Sequence, residues 1–114
     1  MKQQTVQLYE GMYVLGAHLG EEARKTAFAR IKDQIVSRGG EIVKVHEMGR
    51  KRMAYEVNRH REGYYYLVFF TVDPSQIVDL TEEYRRNEDL LRYLVFRAEK
   101  VQEEIKFKKL LPEQ

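Results

Sequence analysis

The chain has 114 residues, 20 Lys and Arg against 18 Asp and Glu, and a formal net charge of only +2, so any anionic partner must be met by a local cluster. The absence of cysteine removes disulfides, thiol catalysis and thiolate metal sites, and fits a reducing compartment. The length suits one domain with a modest core, and the longest apolar run, Tyr64 to Phe70, falls far short of the roughly 20 residues that span a bilayer; neither a membrane segment nor a signal peptide is expected.

Residues 1–7 are polar, and Leu8 to Leu15 then alternates as a first strand should. After the turn Gly16 to Gly20, the residues Ala23, Ala27, Phe28, Ile31 and Ile35 recur at helical spacing over Glu21 to Arg38. Glu21 and Glu22 suit the positive start of that helix, and Gly39-Gly40 supplies the left-handed residue that ends one. Gly39 to Val72 reads as one long β-hairpin, rich in β-branched and aromatic residues, with Asn58 to Gly63 as a loop of more than two residues.

Asp73-Pro74-Ser75-Gln76 is a helix start, with Asp as cap, Pro at the first helical position and Gln three residues after the cap. Ile77, Leu80 and Tyr84 form the buried stripe of the second helix, while Glu82, Glu83, Arg85 and Arg86 are expected to face water. Asn87 stops the helix and Leu90 to Arg97 is the last strand. The domain is expected over residues 1–100. Residues 101–114 form a charged tail, expected to be flexible in the free protein, whose Val101, Ile105 and Leu110 could support a helix only if something receives them.

Strand, helix, strand, strand, helix, strand suggests an α+β, ferredoxin-like βαββαβ sandwich: a four-stranded antiparallel sheet with two helices on one face. Alternation assigns Tyr13, Leu15, Tyr66, Val68, Phe70, Leu94 and Phe96 to the helix-covered core. Met12, Val14, Tyr65, Leu67, Phe69, Tyr93 and Val95 then point to the open face, an apolar surface suited to a protein partner. A charge at Leu67 or Phe69 is accordingly expected to leave the fold intact, and one at Val68 to break it. The alternative is a tail that folds back over this face.

Lys44, Arg50, Lys51 and Arg52 lie on one strand of the hairpin, and Arg59, His60 and Arg61 follow at its tip, so a phosphate backbone could be met from two adjacent sites. A lone basic residue on an edge strand is explained by protection against sheet-to-sheet pairing; a cluster asks for more. The K/R-G-F/Y strand motif of single-stranded base readout is missing, which points instead to the shape and phosphates of folded RNA. Catalytic and metal sites are not expected. His18, His46 and His60 lack ligand spacing, Glu21-Glu22 is explained by the helix dipole, and no Walker loop or G-x-S-x-G elbow is present. No cofactor or small-molecule substrate is implied. An acylphosphatase-like enzyme and a small regulatory or oligomerisation module are the alternatives that this topology invites.

YEGMYVL at Tyr9 to Leu15, GGEIVKVHEMGRKRMAYEV at Gly39 to Val57, EGYYYLVFF at Glu62 to Phe70 and RRNEDLLRYLV at Arg85 to Val95, in this order and spacing, resemble the family of the sixth protein of the bacterial small ribosomal subunit. The resemblance spans roughly Tyr9 to Lys100. Two positions depart from it, Gly16-Ala17 where the family usually has a proline and Met48 where tryptophan is frequent. The resemblance implies a structural role in the small subunit, binding to the central domain of small-subunit ribosomal RNA, a heterodimer with the eighteenth small-subunit protein, and a cytoplasmic, ribosome-associated place.

Overall fold

The computed structural model describes residues 6–103. Its elements run β1 (Gln7–Gly16), α1 (Glu21–Ser37), β2 (Glu41–Val57), β3 (His60–Val72), a short 3-10 turn (Pro74–Gln76), α2 (Ile77–Arg85) and β4 (Leu90–Arg97). The strands form one antiparallel sheet in the order β2-β3-β1-β4. Both helices bury their apolar sides in one cluster on a single face of it, which makes the expected ferredoxin-like βαββαβ sandwich.

The core is built from the alternating positions of the two central strands. Tyr13 and Leu15 of β1 and Tyr66, Val68 and Phe70 of β3 meet Ala27, Phe28, Ile31 and Ile35 of α1 and Leu80 and Tyr84 of α2. Ala23, assigned to the stripe of α1, is exposed, while Arg24 is half-buried with its guanidinium 3.9 Å over the Tyr64 ring. Gly39 ends α1 at φ +85°, where a side chain would be strained, and the Gly39 and Gly40 N–H groups donate to the Val36 and Ile35 carbonyls at 2.9 and 3.0 Å. Asp73 caps its turn by accepting from the Ser75 N–H at 2.9 Å. Gln76 does not close that box; its side-chain oxygen accepts from Arg38 at 3.2 Å. Glu83 is half-buried rather than water-facing because it pairs with the same Arg38, tying the end of α1 to α2.

Two expectations about the strands are corrected. The hairpin closes through a two-residue turn, Asn58-Arg59, with φ of +49° and +69°, so β3 begins at His60 and the His60 to Gly63 part of the loop expected over Asn58 to Gly63 belongs to the sheet. In β4 the faces are reversed from Arg92 onward. Leu15 pairs with Leu90 but Val14 pairs with Arg92, so Leu91 is an extra residue, and one extra residue turns every later side chain to the opposite face. Tyr93 and Val95 therefore pack on the helix side. Tyr93 meets Tyr84 edge-on at 5.4 Å, while Leu94 and Phe96 stand on the open face, 43% and 54% exposed.

Candidate functional site

The open face is a composite of what alternation puts there and what the bulge adds. Opposed residues share a face, so Met12, Leu67 and Leu94 form one row and Glu10, Phe69 and Phe96 the next. Val14, Tyr65, Leu67 and Phe69 lie on this face as expected but are already buried within the single chain, Leu67 at 1% and Phe69 at 0% exposure. A charge at Leu67 or Phe69 would therefore be buried in the free protein, contrary to expectation. The apolar surface that remains accessible is carried by Leu94 and Phe96, with half-buried Met12 between the strands. Glu10 stands among them, and burial pushes its carboxyl up from the ordinary carboxylate range.

Two segments cover the buried part of this face. At the hairpin end, β2 departs from regular pairing between Arg52 and Val57, and Met53 packs on Val14 and Tyr65. Between this overhang and β1 and β4 lies a cavity of about 130 Å³ lined by Met12, Val14, Met53, Tyr65 and Leu94. Arg92 sits at its rim, donating to the Tyr55 hydroxyl with its guanidinium 5.1 Å over that ring. At the other end, the chain leaves β4 by an Ala98 N–H bond to the Leu8 carbonyl, 2.9 Å long. It then crosses to the far edge of the sheet. His46 Nε2 donates to the Gln102 carbonyl at 2.7 Å, and Lys44 Nζ lies 3.2 Å from Glu103. His46 stands edge-on to Phe69, so residues 98–103 strap the open face at the level of that ring. Val101 is half-buried there; the helix considered for Ile105 and Leu110 lies outside the described residues.

The basic residues separate into three places. Lys44 is engaged by the strap. Lys51 and Arg52 flank the irregular part of β2, Lys51 half-buried and Arg52 exposed. Arg50, Arg59, His60 and Arg61 come together at the hairpin tip, around a concavity of about 370 Å³ that they line with His18 and Glu62. Arg50 Nε bonds to Glu62 at 2.5 Å. His18 is the residue of this group that spacing does not assign: its ring, carried by the β1–α1 turn, stacks on His60 with centroids 4.7 Å apart and 29° between planes. Gly16 makes the room, since a Cβ there would fall 2.5 Å from the His18 ring. That glycine is the one local sign of it in the sequence.

Among the described residues no three His, Cys, Asp or Glu side chains are placed to hold a metal ion, and no helix is long and apolar enough to cross a membrane. The arrangement offers electrostatic contact at the tip and apolar contact along β4.

A family model described as Ribosomal protein S6 matches residues 8–97. Small ribosomal subunit protein bS6 of Protochlamydia amoebophila (strain UWE25) is 54% identical over 110 residues, covering 96% of each chain. The protein of that name from Chlamydia abortus is 49% identical over 110 residues, covering 96% of this chain and 98% of its own. Among solved structures, the crystal structure of 30S ribosomal protein S6 from Thermotoga maritima matches with a TM-score of 0.77 and 32% identity, over 82% of this chain and 89% of that one. The C-terminal domain of the MgtC protein from Mycobacterium tuberculosis, with a TM-score of 0.58 and 12% identity over 91% of this chain and 100% of that one, shares the fold alone.

Proposed function

The chain belongs to the ribosomal protein S6 family, structural and non-enzymatic components of the small ribosomal subunit, and on that premise we propose that it binds small-subunit ribosomal RNA together with the eighteenth small-subunit protein. The observation that carries the RNA half is the convergence of Arg50, Arg59, His60 and Arg61 at the hairpin tip, with Lys51 and Arg52 next to it on β2. Arg50, His60 and Arg61 project from paired strands and Arg59 from the tight turn between them, so the backbone that carries the charge needs no ordering on binding. Lys44 joins them only if Glu103 releases it.

The protein half rests on the open face. Leu94 and Phe96 are the exposed anchors, Met12, Val14, Tyr65, Leu67 and Phe69 form the floor, and Tyr93 and Val95 support the strand from behind. Glu10 lies inside this patch with no ion pair among the described residues, and covering it would raise its desolvation cost unless the partner brings a cation. A basic partner meets that condition. With a net charge of +2, the chain alone should bind RNA weakly, and the two proteins together should bind it well.

Titration of labelled central-domain RNA with the chain, the partner and their mixture at several salt concentrations tests this. Replacing Arg50, Lys51 and Arg52 by glutamine should weaken binding by the mixture, with the logarithmic salt slope reduced by about one for each phosphate that is no longer neutralised. An unchanged slope would remove β2 from the RNA interface.

A further inference from the structure

The hairpin tip carries more than unassigned positive charge. His18 and His60 stack face to face at 4.7 Å in a concavity that Arg50, Arg59 and Arg61 also line. Each acid that could neutralise this group lies on an element packed around it. Glu62 is bonded to Arg50, and Glu21 lies 3.7 Å from Lys25. Glu22 is exposed on the first turn of α1, and Asp89 offers the turn its backbone carbonyl, which accepts the Gly16 N–H at 3.2 Å. Arg59 and Arg61 have no ion-pair partner among the described residues.

Arg59 also occupies a position that the backbone would give to another residue. With φ of +49° and +69°, Asn58 and Arg59 are the two central residues of a hairpin turn that favours Asn-Gly. Asn58 fits its place, whereas Arg59 holds a left-handed conformation that disfavours a side chain. What the arginine supplies at that cost is a cationic side chain in the lining of the concavity.

We propose that the β1–α1 turn and the hairpin tip form one phosphate-binding site, in which His18, His60, Arg59 and Arg61 close on a phosphodiester group of folded RNA. The proposal rests on the RNA-binding reading above and adds His18 to it. Each imidazole presents a ring N–H donor and each guanidinium presents several, so the oxygens of one phosphodiester can accept from both turns at once.

The test is RNA titration with the full chain and its partner at several salt concentrations. His18→Ala/His60→Ala removes both ring donors and should weaken RNA binding by about tenfold. Arg59→Gly should melt at a higher temperature than the parent yet bind RNA more weakly, with a salt slope smaller by about one. If the double alanine variant fails to fold, Arg59→Gly decides alone. A folded double variant with parental affinity, or an Arg59→Gly variant with parental affinity, overturns the site. RNA binding that still responds to Arg50, Lys51 and Arg52 would in that case stand without it. Absence of RNA binding by parent and partner at low salt overturns both readings.

Discussion

Tyr13 and Tyr84 reach each other across the core with hydroxyl oxygens 2.7 Å apart and rings edge-to-face at 5.2 Å, and both side chains are fully buried. Each hydroxyl satisfies the other, so the pair is worth less than the damage done by breaking it. Tyr84→Phe leaves the Tyr13 hydroxyl buried without its partner and should cost about 1–2 kcal/mol in urea denaturation, whereas Tyr13→Phe/Tyr84→Phe should return to within about 1 kcal/mol of the parent. Burial pushes both phenols above their ordinary value, and for Tyr13 the neighbouring Tyr84 adds to the effect. The sign follows from proton counting. Below about pH 10 folded and unfolded chains both keep the protons and the stabilisation is complete; above it only the unfolded chain releases them. Stability should therefore fall by about 1.4 kcal/mol per pH unit for each such tyrosine above about pH 10, and less steeply in the double phenylalanine variant.

Among the elements, β4 shows where a sequence is and is not legible. The bounds Leu90–Arg97 follow from its apolar run, and the helices follow from spacing and from Gly39 and Asp73. The extra residue at Leu91 leaves no compositional mark, because Leu90 and Leu91 are the same residue and the strand is apolar on both faces. Simple alternation consequently places every later position one step out of phase. The hairpin turn reads too long for a related reason: Arg59 stands where the recognisable turn has glycine. The stacking of His18 on His60 joins segments distant in sequence, and Gly16 is its one local mark. The corrected phase predicts opposite outcomes for neighbours. Leu94→Glu or Phe96→Glu should fold within about 1 kcal/mol of the parent and lose association with the proposed protein partner, measured by calorimetry. Tyr93→Glu or Val95→Glu places a carboxylate against the helices and should destabilise by about 3 kcal/mol or more.

For the whole molecule, the strap and the strand order set what the domain needs in order to be complete. The strap is held by a hydrogen bond to half-buried His46 and an ion pair to Glu103, whose side chain is 74% exposed, so its anchors contribute little. A chain ending at Lys100 should unfold in one cooperative transition with Tm within a few degrees of the parent, by scanning calorimetry. The strand order has a consequence in time rather than in space. β1 is synthesised first, yet both of its neighbours come later: Tyr13 pairs with Tyr66 on one side and Tyr93 on the other. Only the β2–β3 hairpin can form from local sequence, and every pairing of β1 must wait for a long loop to close. A nascent chain halted before Leu90 would hold the hairpin and both helices but leave one edge of β1 without its neighbour. Until the last strand is in hand, the unpaired backbone edge of β1 from Tyr9 to Leu15 is thus the surface that a chaperone would meet.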